Sequence, residues 1–373
     1  MEHHSDQASL FSEVLRHGDE GGDALACFRD IIVPNAAPCR RTTPVLAPFA
    51  LRGIAHYLPR TVLTSTALDE RLGREAGSVE RDFGIIERRV AQPDETSSAM
   101  ANAAARDALA QAGWEDGAFD VIIGGCGVME QPIPSTAVLV QRALGLGRSG
   151  IHAFDVNQTC LSALLAIDIA AMGFAAGRWK RALLFSSDIA SAGLDDADCK
   201  TAAIFGDGAA AMCLESGGTS GLLSRRFVTH GEGSHLATLR AGGTRVRVEQ
   251  GYDALVEASR FRMDAFGIFK AAARALPGVI DGALADAGHD RASIDLVICH
   301  QASAPGVQHV KRLFPDGERK VVDMFATRGN QIAASIPCTL SHAVAAGLAP
   351  PGTDVLLLGT SAGISAGAIV LRL

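Results

Sequence analysis

Leu109-Ala110-Gln111-Ala112-Gly113, followed by Phe119-Asp120-Val121-Ile122-Ile123, returns later in the chain as Leu284-Ala285-Asp286-Ala287-Gly288, followed by Ile294-Asp295-Leu296-Val297-Ile298. Each copy reads as the end of a helix, a glycine stop and a strand, in the same register. Further on, Ala182-Leu183-Leu184-Phe185-Ser186 has a counterpart in Val355-Leu356-Leu357-Leu358-Gly359 at nearly the same separation, so the repeat spans a supersecondary unit. The strand segments are continuous apolar runs, the pattern of sheets covered on both faces. The expectation is an α/β chain of two similar halves packed face to face, the product of an internal duplication, with a site at the seam.

Within 373 residues this duplication places the halves at 47–220 and 221–373. The first 46 residues lack the pattern. They are Gly-rich and acidic at Gly18–Asp23, then carry Pro34, Pro38 and Arg40-Arg41, and are read as an N-terminal extension, disordered or packed on the surface.

The chemistry is expected from three polar residues at the ends of apolar segments. Cys160 closes Phe154-Asp155-Val156-Asn157-Gln158-Thr159-Cys160 and precedes Leu161–Phe174, a stretch apolar on nearly every face and so a buried helix. Unpaired N–H groups and the positive end of the helix dipole favour a thiolate there, so a lowered thiol pKa is expected. A lone cysteine beside a buried helix is ordinarily core filling. His300 and Asn330 shift that reading: His300 puts a polar tip on Val297-Ile298-Cys299, and Asn330 follows Arg328-Gly329 at a turn before another helix. Both are expected to follow strands and to meet Cys160 as polar partners.

Gly359-Thr360-Ser361-Ala362-Gly363 formally matches the G-x-S-x-G elbow of serine hydrolases. An elbow needs a following helix with an acid and a histidine downstream, whereas ten residues remain after Gly363 and none is Asp, Glu or His. No phosphate-binding loop, zinc-type cysteine pair or H-E-x-x-H motif occurs, so neither metal nor cofactor is expected. Gly206-Asp207-Gly208 reads as a structural turn. Asp168, inside the apolar helix, reads as a cap on a neighbouring backbone group, and Glu130 as a candidate auxiliary base.

Composition points to a globular enzyme. Hydrophobic residues make up 48%, and 41 acidic against 34 basic side chains give a formal charge of −7, which does not suit nucleic-acid binding. The eight cysteines have no paired spacing, and neither a signal peptide nor a span of ~20 apolar residues is seen. Reduced thiols and a cytoplasmic location, without membrane association, are expected.

From about Leu51 to Leu373 the chain resembles the β-ketoacyl-(acyl carrier protein) synthase III group of thiolase-fold enzymes. The resemblance rests on Gly53-Ile54-Ala55-His56-Tyr57-Leu58-Pro59, Gly84-Ile85-Ile86-Glu87-Arg88-Arg89, Phe205-Gly206-Asp207-Gly208-Ala209-Ala210, and the Cys160, His300-Gln301-Ala302 and Gly329-Asn330 motifs in family order. It implies a thiolase fold, with sheets and helices in layers, and acyl transfer to Cys160 followed by decarboxylative Claisen condensation with a malonyl thioester. His300 and Asn330 would then stabilise the enolate, and the backbone N–H groups of Cys160 and Ala362 the tetrahedral oxyanion. It further implies acyl carrier protein or coenzyme A thioesters as partners, a homodimer with Ala137-Val138-Leu139-Val140 near its interface, and Ile133, Phe269 and Ser303 at the substrate. Ile133 belongs to a loop that finishes the partner protomer's pocket, and it replaces a usual aromatic.

Ser78, Asp82, Ser303 and Pro305 stand where the family usually grips coenzyme A with an aromatic, arginines and an asparagine. A carrier protein is therefore the expected presenter of the acyl group. Two alternatives stay open at the level of sequence: an acyltransferase of the same fold that passes acyl-Cys160 to an alcohol or amine, and a non-catalytic partner subunit.

Overall fold

The computed structural model describes residues 47–114 and 117–373; the expected extension, 1–46, lies outside the described residues. An eight-stranded sheet organises the fold. Its strands are β1 (Ala47–Tyr57), β2 (Val121–Gly124), β3 (His152–Asp155), β4 (Arg181–Asp188), β5 (Gly208–Thr229), β6 (Leu296–Cys299), β7 (Asp354–Ser361) and β8 (Ser365–Arg372). They run in the order β6-β7-β8-β5-β4-β2-β3, with β1 also paired to β5.

The repeat holds at the level of single hydrogen bonds. In the first copy β2 lies parallel to β4 with Val121 opposite Ala182; in the second β6 lies parallel to β7 with Leu296 opposite Val355. Each helix before the first strand of a copy, Ser97–Ala112 and Ala265–Asp286, ends the same way. The N–H of Trp114 returns to the Leu109 carbonyl, and that of His289 to Leu284, around a left-handed glycine at 113 and 288. The aspartate before each strand also plays the same part in both copies. Asp120 accepts from the N–H groups of Lys180 and Arg181, and Asp295 from that of Asp354. Both side chains thus satisfy the backbone at the start of the adjacent parallel strand.

β5 is 22 residues long and changes partners along its length. Residues 208–215 pair antiparallel with β4, and residues 221–229 with β8. The division at 220/221 expected from the repeat falls at this changeover, inside one strand.

Alternate residues of the short strands face opposite sides, which produces the layers. Ile123, Leu184, Ile298 and Leu357 share a core with the helices Ser162–Ala175 and Ser335–Ala345. Their neighbours turn the other way: Ile122 and Leu183 pack under helix Ser97–Ala112, and Val297 and Leu356 under helix Ala265–Asp286. Burying each Leu or Ile of the shared core contributes roughly 1.5–3 kcal/mol. The two central helices carry the turns that hold the candidate site. Among the described residues no helix is long and apolar enough to cross a membrane.

Candidate active site

Cys160, His300 and Asn330 line one cavity of about 750 Å³, together with Ala362, Phe269 and Ser303. The rest of the wall is largely apolar, including Leu194, Leu239, Phe261, Met263 and Leu276.

Cys160 lies in a single 3₁₀ turn, Thr159–Leu161, that runs directly into helix Ser162–Ala175. Ser162 locks the turn: its hydroxyl accepts from the Gln158 N–H at 2.8 Å and donates to the Thr159 carbonyl at 2.7 Å. The helix N-terminus is where the sequence places it, but the thiol is not acidified. Burial, reinforced by the nearby Asp188 carboxylate, pushes the Cys160 thiol up to about 12. At neutral pH this sulfur rests as a thiol.

His300 caps β6 and is buried, and its backbone N–H bonds the Leu358 carbonyl of β7. Burial pulls its pKa down to about 4, so the imidazole is neutral at pH 7. Its Nδ1 is buried without a hydrogen-bond partner, and in the neutral ring one nitrogen donates while the other accepts. Gly359 permits the close approach of β7 to this side chain: a Cβ there would lie 2.8 Å from the His300 Cβ and 3.2 Å from Leu161 Cδ2.

Asn330 is buried and fixed in orientation. Its Oδ1 accepts from the Ile332 N–H at 2.9 Å, and its Nδ2 donates to the Ala302 carbonyl at 3.3 Å. One further Nδ2 proton remains for a ligand. The preceding element differs from the expected strand. Phe325–Arg328 is a helical turn, and Val321 makes only an isolated bridge to Val297, because the apolar segment is too short to form a ladder.

The Asn330 turn is the repeat partner of the Cys160 turn. Asn157-Gln158-Thr159-Cys160-Leu161-Ser162 aligns with Asn330-Gln331-Ile332-Ala333-Ala334-Ser335. Thr159 and Ile332 both have φ of 50°, and each N–H donates to the asparagine two residues earlier. The shared Asn-Gln-x-x-x-Ser pattern is the sequence signal for this pairing.

Asp188, at the polar tip of Ser186-Ser187-Asp188, was not singled out by the sequence. It is fully buried and ties two loops around Cys160, accepting from the N–H groups of Gly127 and Val128 with one oxygen and of Ala334 with the other. Burial raises its pKa to about 7 despite these bonds.

The remaining candidates divide. Ala362 follows β7 in the turn to β8, so Ser361 ends a strand that turns back into another strand, without the helix an elbow needs. Glu130 lines the cavity while its carboxylate accepts from the Ser98 N–H. Ser303 caps helix Ala304–Arg312. Phe269 meets His309 edge-on, and the His309 Nε2 is buried without a partner in the same cavity wall. Ile133 is not brought to the cavity; it is 86% exposed. Among the described residues Asp168 caps no backbone group and instead pairs with Arg225 of β5 at 2.6 Å. Asp207 is buried and accepts from Ala91 and Ser191, while its carbonyl accepts from Gln331, so this turn braces the asparagine loop.

The family model 3-oxoacyl-[acyl-carrier-protein (ACP)] synthase III matches residues 154–231, and the model of its C-terminal part residues 284–373. The chain is 32% identical over 326 residues to the β-ketoacyl-[acyl-carrier-protein] synthase III of Chelativorans sp. (strain BNC1), covering 86% of this chain and 98% of that one. Its structure is similar to that of the 3-oxoacyl-[acyl-carrier-protein] synthase III from Aquifex aeolicus VF5, with a TM-score of 0.79, 30% identity, and coverage of 87% and 100%. The priming β-ketosynthase of the R1128 polyketide pathway is similar with a TM-score of 0.78 and 25% identity, covering 89% of this chain and 98% of that one. These likenesses identify the layered α/β architecture as the thiolase fold.

Proposed function

The chain belongs to the 3-oxoacyl-[acyl-carrier-protein] synthase III family, and from that premise we propose that it condenses an acyl thioester with a malonyl thioester, both presented on acyl carrier protein. In the first half-reaction the Cys160 sulfur attacks the acyl carbonyl, and the N–H groups of Cys160 and Ala362 hold the tetrahedral oxyanion. The carrier sulfur leaves and takes up the proton that Cys160 gives away. In the second, the malonyl thioester loses carbon dioxide, and its carbonyl oxygen, now an enolate, receives hydrogen bonds from His300 Nε2 and Asn330 Nδ2. The carbanion attacks acyl-Cys160, a carbon–carbon bond forms, and the Cys160 sulfur departs to recover a proton.

One observation carries the reading: a neutral buried imidazole and an amide locked with its NH₂ group available line the same cavity as the thiol. Two oriented neutral donors suit an enolate, whereas transfer to an alcohol or amine needs only a base. The apolar wall and the volume of about 750 Å³ suit an alkyl chain longer than acetyl. A homodimer fits the exposed Ile133 and Val138 beside the cavity loop, and a carrier-borne substrate fits a cytoplasmic enzyme.

The test is incubation with a panel of acyl-carrier proteins plus malonyl-carrier protein, with Cys160 acylation followed by intact mass. Discharge of acyl-Cys160 only with malonyl-carrier protein, with release of carbon dioxide, is expected. An acyl-enzyme that persists and discharges to an alcohol or amine would transfer the reading to acyltransfer.

A further inference from the structure

Resting on the condensing reading, we propose that the segment 239–248 is the anion-recognition rim of the cavity, with Arg240, Arg245 and Arg247 engaging the phosphodiester of a carrier-bound phosphopantetheine arm. Position is the first support. Leu239, Ala241, Gly242 and Gly243 line the cavity that holds Cys160. Arg240 lies inside this stretch, and Arg245 and Arg247 follow it by two and four residues. All three arginines are exposed.

Charge is the second support. The ten residues 239–248 contain three arginines and no acid, in a chain with a formal charge of −7. Among the described residues, no carboxylate pairs with Arg240, Arg245 or Arg247. The neighbouring cations are neutralised: Arg260 and Arg262 share Asp195, and Arg262 also pairs with Glu257. The rim is therefore a local excess of unpaired positive charge beside an apolar opening, and guanidinium groups match the geometry of phosphate oxygens.

The surroundings make the segment a grip with a fixed root. The N–H groups of Arg240 and Ala241 both donate to the Ala258 carbonyl. Asp82, Ser303 and Pro305 supply no cation: Asp82 is paired with Arg74 and Arg81, the Ser303 hydroxyl accepts from the Gly306 N–H, and residue 305 is a proline.

The experiment compares the wild type with the triple variant Arg240→Glu, Arg245→Glu, Arg247→Glu. The rate of Cys160 acylation is measured with three donors of the same acyl group: acyl-carrier protein, acyl-coenzyme A and acyl-N-acetylcysteamine, which has no phosphate. The expected result is a loss on the order of 10- to 100-fold in kcat/KM for acyl-carrier protein, carried by KM, and loss of the wild type's salt dependence. Acylation by the N-acetylcysteamine thioester should change less than about twofold, which also reports that the variant is folded. A parallel loss with acyl-coenzyme A assigns the contact to the phosphate shared by the two donors; a loss confined to the carrier places it on the carrier's own surface and overturns the assignment to the phosphodiester. An equal loss with all three donors, or no loss with the carrier, overturns the proposal. If no donor acylates the wild type, the condensing reading itself fails and takes this inference with it.

Discussion

Asn330→Asp separates the two half-reactions. The exchange keeps the shape of the side chain and the oxygen that accepts from the Ile332 N–H at 2.9 Å, but replaces Nδ2 by a second oxygen facing the Ala302 carbonyl at 3.3 Å. Two facing acceptors cost about 1–3 kcal/mol of stability. For the enolate the variant loses one of two donors, about 2.7–4 kcal/mol or 10²–10³ in rate, and adds a like charge beside the developing one. The same charge acts on Cys160 as Asp188 does, raising the thiol, so acylation slows by at most ~10-fold. Carbon dioxide release from malonyl-carrier protein and intact-mass acylation of Cys160 are measured side by side. Decarboxylation reduced by ~10²-fold or more, with acylation within ~10-fold of wild type, is expected. Equal losses in both steps, or decarboxylation reduced less than ~10-fold, would refute the assignment of Asn330 as an enolate donor.

With the Cys160 thiol at about 12, the thiolate is only ~10⁻⁵ of the total at pH 7, so iodoacetamide alkylation of Cys160 should rise about tenfold per pH unit from pH 6 to 9; a plateau in that range would contradict a raised pKa. Ala273→Phe fills part of the cavity wall and should shorten the preferred acyl chain by about four carbons while the shortest donor still acylates Cys160, an outcome read from the carrier panel; an unchanged profile places the chain elsewhere. Asp120→Ala removes two backbone partners and Asp295→Ala one, so urea unfolding should show the former as the costlier, by about 1 kcal/mol.

The duplication was legible because two features of each copy are written locally: a leucine-anchored helix end closed by glycine, and an aspartate ahead of an apolar run. Cys160, His300 and Asn330 were legible as polar residues punctuating apolar segments, and their order agreed with a known family. The acidity of Cys160 was misread because the helix dipole is a local feature, while burial and the charge of Asp188 come from elements that sequence separation conceals. Asp168 was misread for a similar reason, since its partner Arg225 lies on the far arm of β5. Asp188 carried the same signature as His300, a polar tip on an apolar strand, and the Asn-Gln-x-x-x-Ser echo between residues 157–162 and 330–335 was visible in the letters alone.

β5 belongs to both halves, pairing with β4 at one end and β8 at the other. It therefore acts as a splint. The link between its two paired segments, 216–220, is exposed or half-buried, but β1 pairs on both sides of it, Ala47 with Leu222 and Phe49 with Ser216. A hinge that swung one half from the other would therefore have to break the β1 ladder, which holds the turns bearing Cys160 and Asn330 at a fixed spacing. Substrate entry and product exit are left to the segments around the mouth, and amide hydrogen exchange should be slow along 208–215 and fast along 239–248.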